Sequence, residues 1–348
     1  MIASVSKINL VFKSPAGTSR GILNTKTSWF LSLSQEDNPE IRGIGEIAPI
    51  PGLSVDNLDE IETEISRIAF QINNSGIILK STFPAFPSIQ FGLETALKDL
   101  EAKGSKILFP STFTSGKKSI PINGLVWMGD EGYMMDQVEA KIKTGFKCLK
   151  LKIGAIDFDA ELKIIQSIRN RFTEKELELR VDANGAFSPD GAEKKLMQLS
   201  ELGIHSIEQP IKQGQWKKMS ELCSLAILPI ALDEELIGIS GYKKKKQLLK
   251  EIGPPYIILK PTLLGGFRAS EEWIALAEEL GIGWWITSAL ESNIGLNAIA
   301  QWTATLNSEM YQGLGTGALY TNNINCPLVL NGDRLFYTPK GNWDLTTI

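Results

Sequence analysis

The sequence predicts an α/β protein in which a small α+β unit leads into a parallel barrel. One observation is periodic. Asp182, Glu208 and Asp233 recur about every 25 residues, each at the end of a short apolar run, with Lys150 and Lys152 before them and Lys260 after, and that period suits one strand, one helix and two loops. The runs L-K-L-K-I, L-R-V-D-A-N, S-I-E-Q-P, P-I-A-L-D-E and Y-I-I-L-K-P each end in a charge, where a strand buried on both faces would meet solvent. Those charges converge on one rim. The second observation is a change of texture near residue 118, from strand-like alternation to strands separated by amphipathic helical stretches.

Residues 1–118 carry the α+β unit. Ile2–Phe12 and Thr27–Leu33 alternate like strands, G-E-I-A-P-I-P-G-L-S from Gly45 reads as a Gly/Pro-rich loop, and helical spacing runs over Ile61–Ile72 and Ile89–Ala102. T-S-G-K-K-S near residue 115 reads as a linker. The barrel is expected over 119–322. Its eight strands are Ile120–Trp127, Cys148–Ile153, Leu177–Asp182, Ser206–Gln209, Ile230–Asp233, Tyr256–Lys260, Gly283–Thr287 and Tyr311–Gly315, with seven helices between them. The helix A-S-E-E-W-I-A-L-A-E-E-L-G ends at Gly281 as a C-terminal cap, and Ser188 before Pro189 reads as an N-cap and first turn. Lys243–Lys246 read as a solvated charge run. The tail, 323–348, alternates like a hairpin and is expected to return to the N-terminal unit.

Composition narrows the function. The 348 residues, 43% hydrophobic, suffice for a large core. A net charge of −4 offers no broad attraction to nucleic acid or an anionic membrane, so the expected partner is a small molecule. No apolar stretch is long enough to span a bilayer, and the opening M-I-A-S-V-S-K-I-N-L-V-F alternates like a strand, which points to the cytoplasm. A homo-oligomer is compatible with all of this. Cys148, Cys223 and Cys326 are far apart and lack a C-x-x-C pair, so they read as buried small hydrophobes. With a single histidine, His205, at a strand start, histidine-based metal clusters and nucleophile–His–acid triads drop out. Acid–base work falls to lysine or carboxylate.

Three carboxylates on adjacent strands suit a hard divalent cation. Asn184 and Glu234 are weaker companions, one beyond its strand and the other alternating to the outer face. Lys150 and Lys152 are two residues apart and so share one strand face, the barrel interior. Their mutual repulsion and burial are expected to lower their pKa values toward the range of a usable base, with Lys260 facing them across the cavity.

In this order, K-L-K-I-G, V-D-A-N-G, I-E-Q-P, D-E and L-K-P resemble the enolase superfamily and its muconate lactonising subgroup, and the similarity spans the whole chain. The resemblance implies a (β/α)7β modified TIM barrel, a capping domain formed from both chain ends, and proton abstraction α to a carboxylate through an enediolate. It also implies Mg2+, with Mn2+ as the substitute, at Asp182, Glu208 and Asp233. Lys152 would be the acid–base residue, supported by Lys150 and Lys260. Within the subgroup, F-K-S-P-A-G-T-S-R-G, I-N-G-L-V-W-M-G, T-S-A-L-E-S-N-I-G and G-L-G-T-G-A-L-Y-T-N-N are similar to the menaquinone-pathway dehydratases, lyases acting on 2-succinyl-6-hydroxy-2,4-cyclohexadiene-1-carboxylate. Two alternatives stay open: an N-succinylamino acid racemase or other muconate-cycloisomerase-like enzyme, and a barrel that binds metal and acid without turning it over. No carboxylate occurs in G-L-G-T-G-A-L-Y-T-N-N, which argues against a dipeptide substrate, since epimerases of the superfamily carry a D-x-D pair there. For substrate binding the candidates are Ser19 and Arg20 in the N-terminal loop, Pro51–Ser54 as a second wall, Asn184, Ser288 and Glu291 near the strand ends, and Gly315, where a missing side chain permits close approach.

Overall fold

A computed structural model describes residues 1–18, 21–76 and 83–348. The N-terminal sheet is antiparallel in the order β1 (Ile2–Thr18), β2 (Gly21–Gln35), β3 (Asn38–Ile47). Helices α1 (Ile61–Ser75) and α2 (Pro87–Glu101) cover one face. In α1 the buried residues Ile61, Ile65, Ile68 and Ile72 fall at helical spacing, and they pack with Leu31, Leu33 and Ile47 of the sheet and Leu93 of α2.

The third strand departs from the sequence reading. Gly45, Glu46 and Ile47 are strand, and the loop starts only after them. Gly45 is there for contact with the helix: a Cβ on it would lie 1.8 Å from the carbonyl oxygen of Gly92 in α2. The glycine brings sheet and helix together and makes no turn.

Beyond the sheet, Asp56 anchors the start of α2. Its Oδ1 accepts from the Ser88 N–H at 3.1 Å and from the Ser88 hydroxyl at 2.6 Å. Burial raises this carboxyl to about 6, against the lowering effect of the Ser88 hydrogen bonds. The folded state therefore holds the proton more tightly than the unfolded chain. The stability gained is complete below the ordinary aspartate value of 3.8 and is lost as pH rises through about 6. Asp56→Asn keeps an acceptor for Ser88 and removes the titration. In urea titrations its stability relative to wild type should rise by up to about 3 kcal/mol between about pH 4 and pH 7; parallel pH profiles would show that Asp56 does not titrate this way.

From residue 120 the chain builds the barrel. The order is β4 (Ile120–Pro121), β5 (Gly124–Val126), α3 (Glu131–Lys143), β6 (Cys148–Lys152), α4 (Phe158–Arg169), β7 (Glu178–Asp182), α5 (Pro189–Ser200), β8 (Ser206–Glu208), α6 (Trp216–Ser224), β9 (Ile230–Leu232) and α7 (Tyr242–Ile252). There follow β10 (Tyr256–Leu259), the single turn α8 (Pro261–Leu264), α9 (Gly266–Glu279), β11 (Gly283–Ile286) and α10 (Asn293–Thr305). Seven strands form one parallel sheet in the order β11-β10-β9-β8-β7-β6-β5. Tyr311–Gly315, read as an eighth strand, closes the curl through bridges alone, Thr287 to Gly313 and Ile122 to Gln312, both parallel. Leu149 and Leu151 join the core under the helices, and alternation turns Lys150, Lys152, Arg180 and Asp182 inward.

Three further expectations change. Ile120–Trp127 divides into β4 and β5, because the hairpin of β12 (Leu328–Asn331) and β13 (Arg334–Tyr337) pairs with β4. The hairpin thus docks at the barrel entrance, while Trp343, Leu345 and Ile348 after it pack beside Phe30 and Ile44 of the N-terminal sheet. Within the lysine run, Lys245 is buried, its ammonium bonded to the Ala269 carbonyl at 2.8 Å and to Glu272 at 2.9 Å. Of the cysteines, Cys148 is buried but Cys223 and Cys326 are only half-buried. Ser188 does cap α5 through the Gly191 N–H, and Gly281 takes a left-handed φ of 70° just after α9. Among the described residues no helix is long and apolar enough to cross a membrane.

Candidate active site

Register aligns the central charges. Lys152 pairs with Asp182 across β6 and β7, and Asp182 pairs with Glu208 across β7 and β8, so three functional side chains sit in one row. Asp233 and Lys260 directly follow β9 and β10, on the same rim. All three acids are buried.

The hydrogen bonds interleave acids and amines. Lys150 Nζ donates to Glu208 Oε2 at 2.7 Å and to Asp182 Oδ2 at 3.3 Å, while Lys152 Nζ donates to Asp182 Oδ2 at 2.6 Å and Asn184 Oδ1 at 2.7 Å. Lys260 is ion-paired with Asp233. Asn184 Nδ2 donates to Glu234 Oε1 at 3.0 Å. Glu234 is thus a neighbour of the centre and not an outer-face residue, because the chain leaves the strand at Asp233 and turns through a short 3-10 segment, Glu234–Leu236, which cancels the two-residue alternation.

The expected lowering is overturned for Lys150, and Lys260 across the cavity shifts upward as well. Burial does act to lower Lys150, but Glu208 and Asp182 outweigh it and hold the ammonium above its usual range. Burial opposes Asp233 and Glu208 at Lys260 in the same way, and the acids again prevail. Each of these two amines is bonded directly to a carboxylate. The carboxylates split: burial raises all three, yet Lys152 and Lys150 bring Asp182 well below the usual range, and Lys260 brings Asp233 below it. Glu208 is pushed well up by burial and by the Asp182 charge, with Lys150 only partly offsetting them.

Two strained residues follow these acids. Asn184 and Gln209 have φ of 45° and 40°, left-handed values that non-glycine residues adopt at a cost of order 1–3 kcal/mol. Gln209 was not singled out in the sequence. Its Oε1 accepts from the Asp233 and Glu235 N–H groups at 3.2 and 3.3 Å, and its Nε2 donates to Glu235 at 3.0 Å, which ties the loop after β8 to the one after β9. The signal available was the Q of I-E-Q-P, polar and next to the acid.

A cavity of about 400 Å³ opens beside this cluster. Lys150, Lys152, Lys260, Asn184, Ser288 and Gly315 reach it from the barrel; Leu23 and Ile50–Leu53 close it from the N-terminal unit. Asn123 and Trp127, at either end of β5, also line it, although sequence reasoning named neither as a site residue. Ser288 Oγ is 2.6 Å from Thr316 Oγ1. Glu291 does not line the cavity. Its carboxylate is buried in the wall, accepting from the Ala289 N–H at 2.7 Å and pairing with the Thr262 hydroxyl. Ser19 and Arg20 lie outside the described residues.

Comparison with known proteins follows the same outline. The profile of the Enolase C-terminal domain-like family matches residues 133–333, and that of the MenC N-terminal domain matches residues 8–100. A protein of Desulfotalea psychrophila named o-succinylbenzoate synthase is 48% identical, covering 96% of this chain and 98% of its own. The crystal structure of MenC from Desulfotalea psychrophila superposes with a TM-score of 0.86 at 44% identity, over 97% of this chain and 99% of that one. The muconate lactonizing enzyme of Pseudomonas fluorescens, solved with muconolactone, gives a TM-score of 0.81 at 24% identity over 98% and 96% of the two chains, a likeness of fold.

Proposed function

We propose a reaction for this chain from one premise: the chain belongs to the enolase superfamily, among the o-succinylbenzoate synthases. It is an enzyme, a lyase. The reaction is dehydration of 2-succinyl-6-hydroxy-2,4-cyclohexadiene-1-carboxylate, an α-proton and the ring hydroxyl leaving as water and the ring becoming aromatic, as a step of menaquinone biosynthesis in the cytoplasm.

The observation that carries this reading is the cavity lined by Lys152 and Lys260 beside three buried acids. In our assignment Lys152 takes the α-proton and returns it to the departing hydroxyl on the same ring face, so one residue serves both steps of a syn elimination. It is the better placed of the β6 pair. The Lys152 side chain is 12% exposed against 7% for Lys150, whose ammonium is engaged by two carboxylates. Lys150 and Lys260 lend positive charge to the enediolate as it forms, and a preorganised charge needs no reorientation at that moment.

Asp182, Glu208 and Asp233 would hold Mg2+, or Mn2+. Among the described residues no three His, Cys, Asp or Glu side chains stand ready arranged round an ion, since lysines lie between the acids. The donor set nevertheless fits. Its oxygens are hard, all three acids are buried, and Glu208 Oε1 is a buried acceptor without a partner, which a cation would satisfy. When bound, such an ion supplies several kcal/mol of stabilisation to a carboxylate losing its α-proton.

A racemase remains the second reading, favoured by lysines at the strand ends of both β6 and β10. One experiment separates them. With Mg2+ present, the enzyme should abolish the cyclohexadiene absorbance of the proposed substrate. In heavy water it should exchange the α-proton of an N-succinylamino acid much more slowly. Fast exchange without dehydration would replace the first reading with the second.

A further inference from the structure

Two walls of the cavity come from different units of the chain, and behind their junction a buried carboxylate joins them. Glu46 stands near the end of β3 and is fully buried. Its neighbour Gly45 faces α2, so alternation turns Glu46 to the opposite face of the sheet, toward the barrel. There it meets the start of α10. Glu46 Oε1 accepts from the Ser292 N–H at 2.8 Å and from the Ser28 hydroxyl of β2 at 2.7 Å, while Oε2 accepts from the Gly295 N–H at 2.9 Å and the Ser292 hydroxyl at 2.6 Å. All but the Ser28 bond cross between the units. Gly295 is part of the fit, since a Cβ on it would lie 2.9 Å from Glu46 Oε2 and 2.7 Å from Glu291 Cβ.

Each side of this contact leads directly into a wall. Soon after Glu46 the chain reaches residues 50–53, which close the cavity from the N-terminal unit, and just before Ser292 come Ser288, Ala289 and Leu290, which line it from the barrel. The walls touch. Ile50 and Ala289 share one apolar cluster, with Leu53 and Leu290 packed against it. Leu290 holds φ at 61°, a left-handed value that a leucine keeps only where its surroundings fix it. The Tyr320 hydroxyl donates to the Leu290 carbonyl at 2.7 Å and Glu291 accepts from the Ala289 N–H at 2.7 Å, but neither bond reaches the N-terminal unit. The bonds of Glu46 do.

A glutamine at this position would keep the shape and lose the fit. Each oxygen of Glu46 accepts from a backbone N–H, so an amide NH2 in either orientation would face a donor that cannot turn away.

We propose that Glu46 is a positioning residue for substrate recognition: by bonding the start of α10 it sets the wall at residues 288–290 against the wall at residues 50–53, and so fixes the width of the cavity that receives the substrate. The kinetic part rests on the dehydratase reading; the conformational part does not.

The test compares Glu46→Gln with Ser28→Ala, which removes a bond made within the N-terminal unit and leaves the crossing bonds in place. In Glu46→Gln, amide hydrogen exchange measured without substrate should rise about tenfold over residues 288–293 and stay unchanged in β6 and β7. KM for the proposed substrate should rise about tenfold with kcat within about threefold and Mg2+ affinity unaltered, the signature of lost binding with intact chemistry. Ser28→Ala should match wild type in both exchange and KM. A glutamate that served stability alone would, on substitution, lower Tm and leave KM where it is; that result, wild-type exchange over 288–293 in Glu46→Gln, or an equal KM rise in Ser28→Ala overturns the proposal. Should Glu46→Gln fail to fold, Ser292→Ala, which takes away the hydroxyl that bonds Glu46, decides: faster exchange over 288–293 and a higher KM with kcat kept support the proposal, and wild-type values overturn it. If wild type does not dehydrate the substrate, the functional reading fails and the exchange comparison alone decides the role of Glu46.

Discussion

Lys152→Ala is expected to lower kcat for dehydration by about 10³-fold, within the 10²- to 10⁴-fold range of a positioned acid–base group, while Mg2+ binding is kept. The sign of the second effect follows from charge. Lys152 Nζ lies 2.6 Å from Asp182 Oδ2, so removing it takes a cation from beside an expected ligand, and Mg2+ affinity should hold or increase. Loss of activity with intact metal binding separates a proton carrier from a scaffold residue. Lys152→Arg sharpens the distinction, for it retains the positive charge and donors toward Asp182 and Asn184 but does not give up its proton. It should be as inactive as the alanine variant. Calorimetric titration with Mg2+ and the absorbance assay together check both; turnover within about tenfold of wild type in either variant would remove Lys152 from the acid–base role.

Most of the barrel was legible because its signals were local and redundant. Each central strand from β6 to β10 places apolar residues at its outward positions and a charge at its last inward position or directly after it, and that pattern fixes both the strand and the rim on which its charge emerges. What failed depended on contacts made across the chain. Gly45 looked like a loop glycine because nothing near it in sequence reveals Gly92 lying against it. Glu234 was assigned the outer face by strict alternation, and the strand ended one residue too early for alternation to apply. The lysine pKa expectation erred similarly. It counted Lys150 and Lys152 as neighbours in sequence and missed that Glu208, 58 residues away, bonds Lys150 directly. Lys245 shows the same limit, buried against α9 although the run Lys243–Lys246 reads as a solvated face.

Glu208→Gln should produce the other large effect, and in two opposite directions. In the protein freed of metal by a chelator, Glu208 is a wholly buried acid with Oε2 on Lys150 and Oε1 unpartnered. Burial and the Asp182 charge push this carboxyl up, so at neutral pH the folded state must either desolvate its charge or take up a proton, both destabilising, whereas the isosteric amide does neither. Stability under chelation should therefore hold or rise by about 1 kcal/mol, because Lys150 keeps Asp182 at 3.3 Å as its second partner. With Mg2+ the order reverses. A neutral amide is a poor ligand for a hard divalent ion, so affinity should fall by at least 10- to 100-fold, and the rise in Tm that saturating Mg2+ gives the wild type should largely disappear. Dehydration would fall with it, since the ion and the proton carrier act on the same carboxylate substrate. Thermal unfolding with chelator and then with Mg2+ reads both halves. If Mg2+ raises Tm equally in the variant and the wild type, Glu208 is no ligand and its buried oxygen must be explained as part of the lysine network alone.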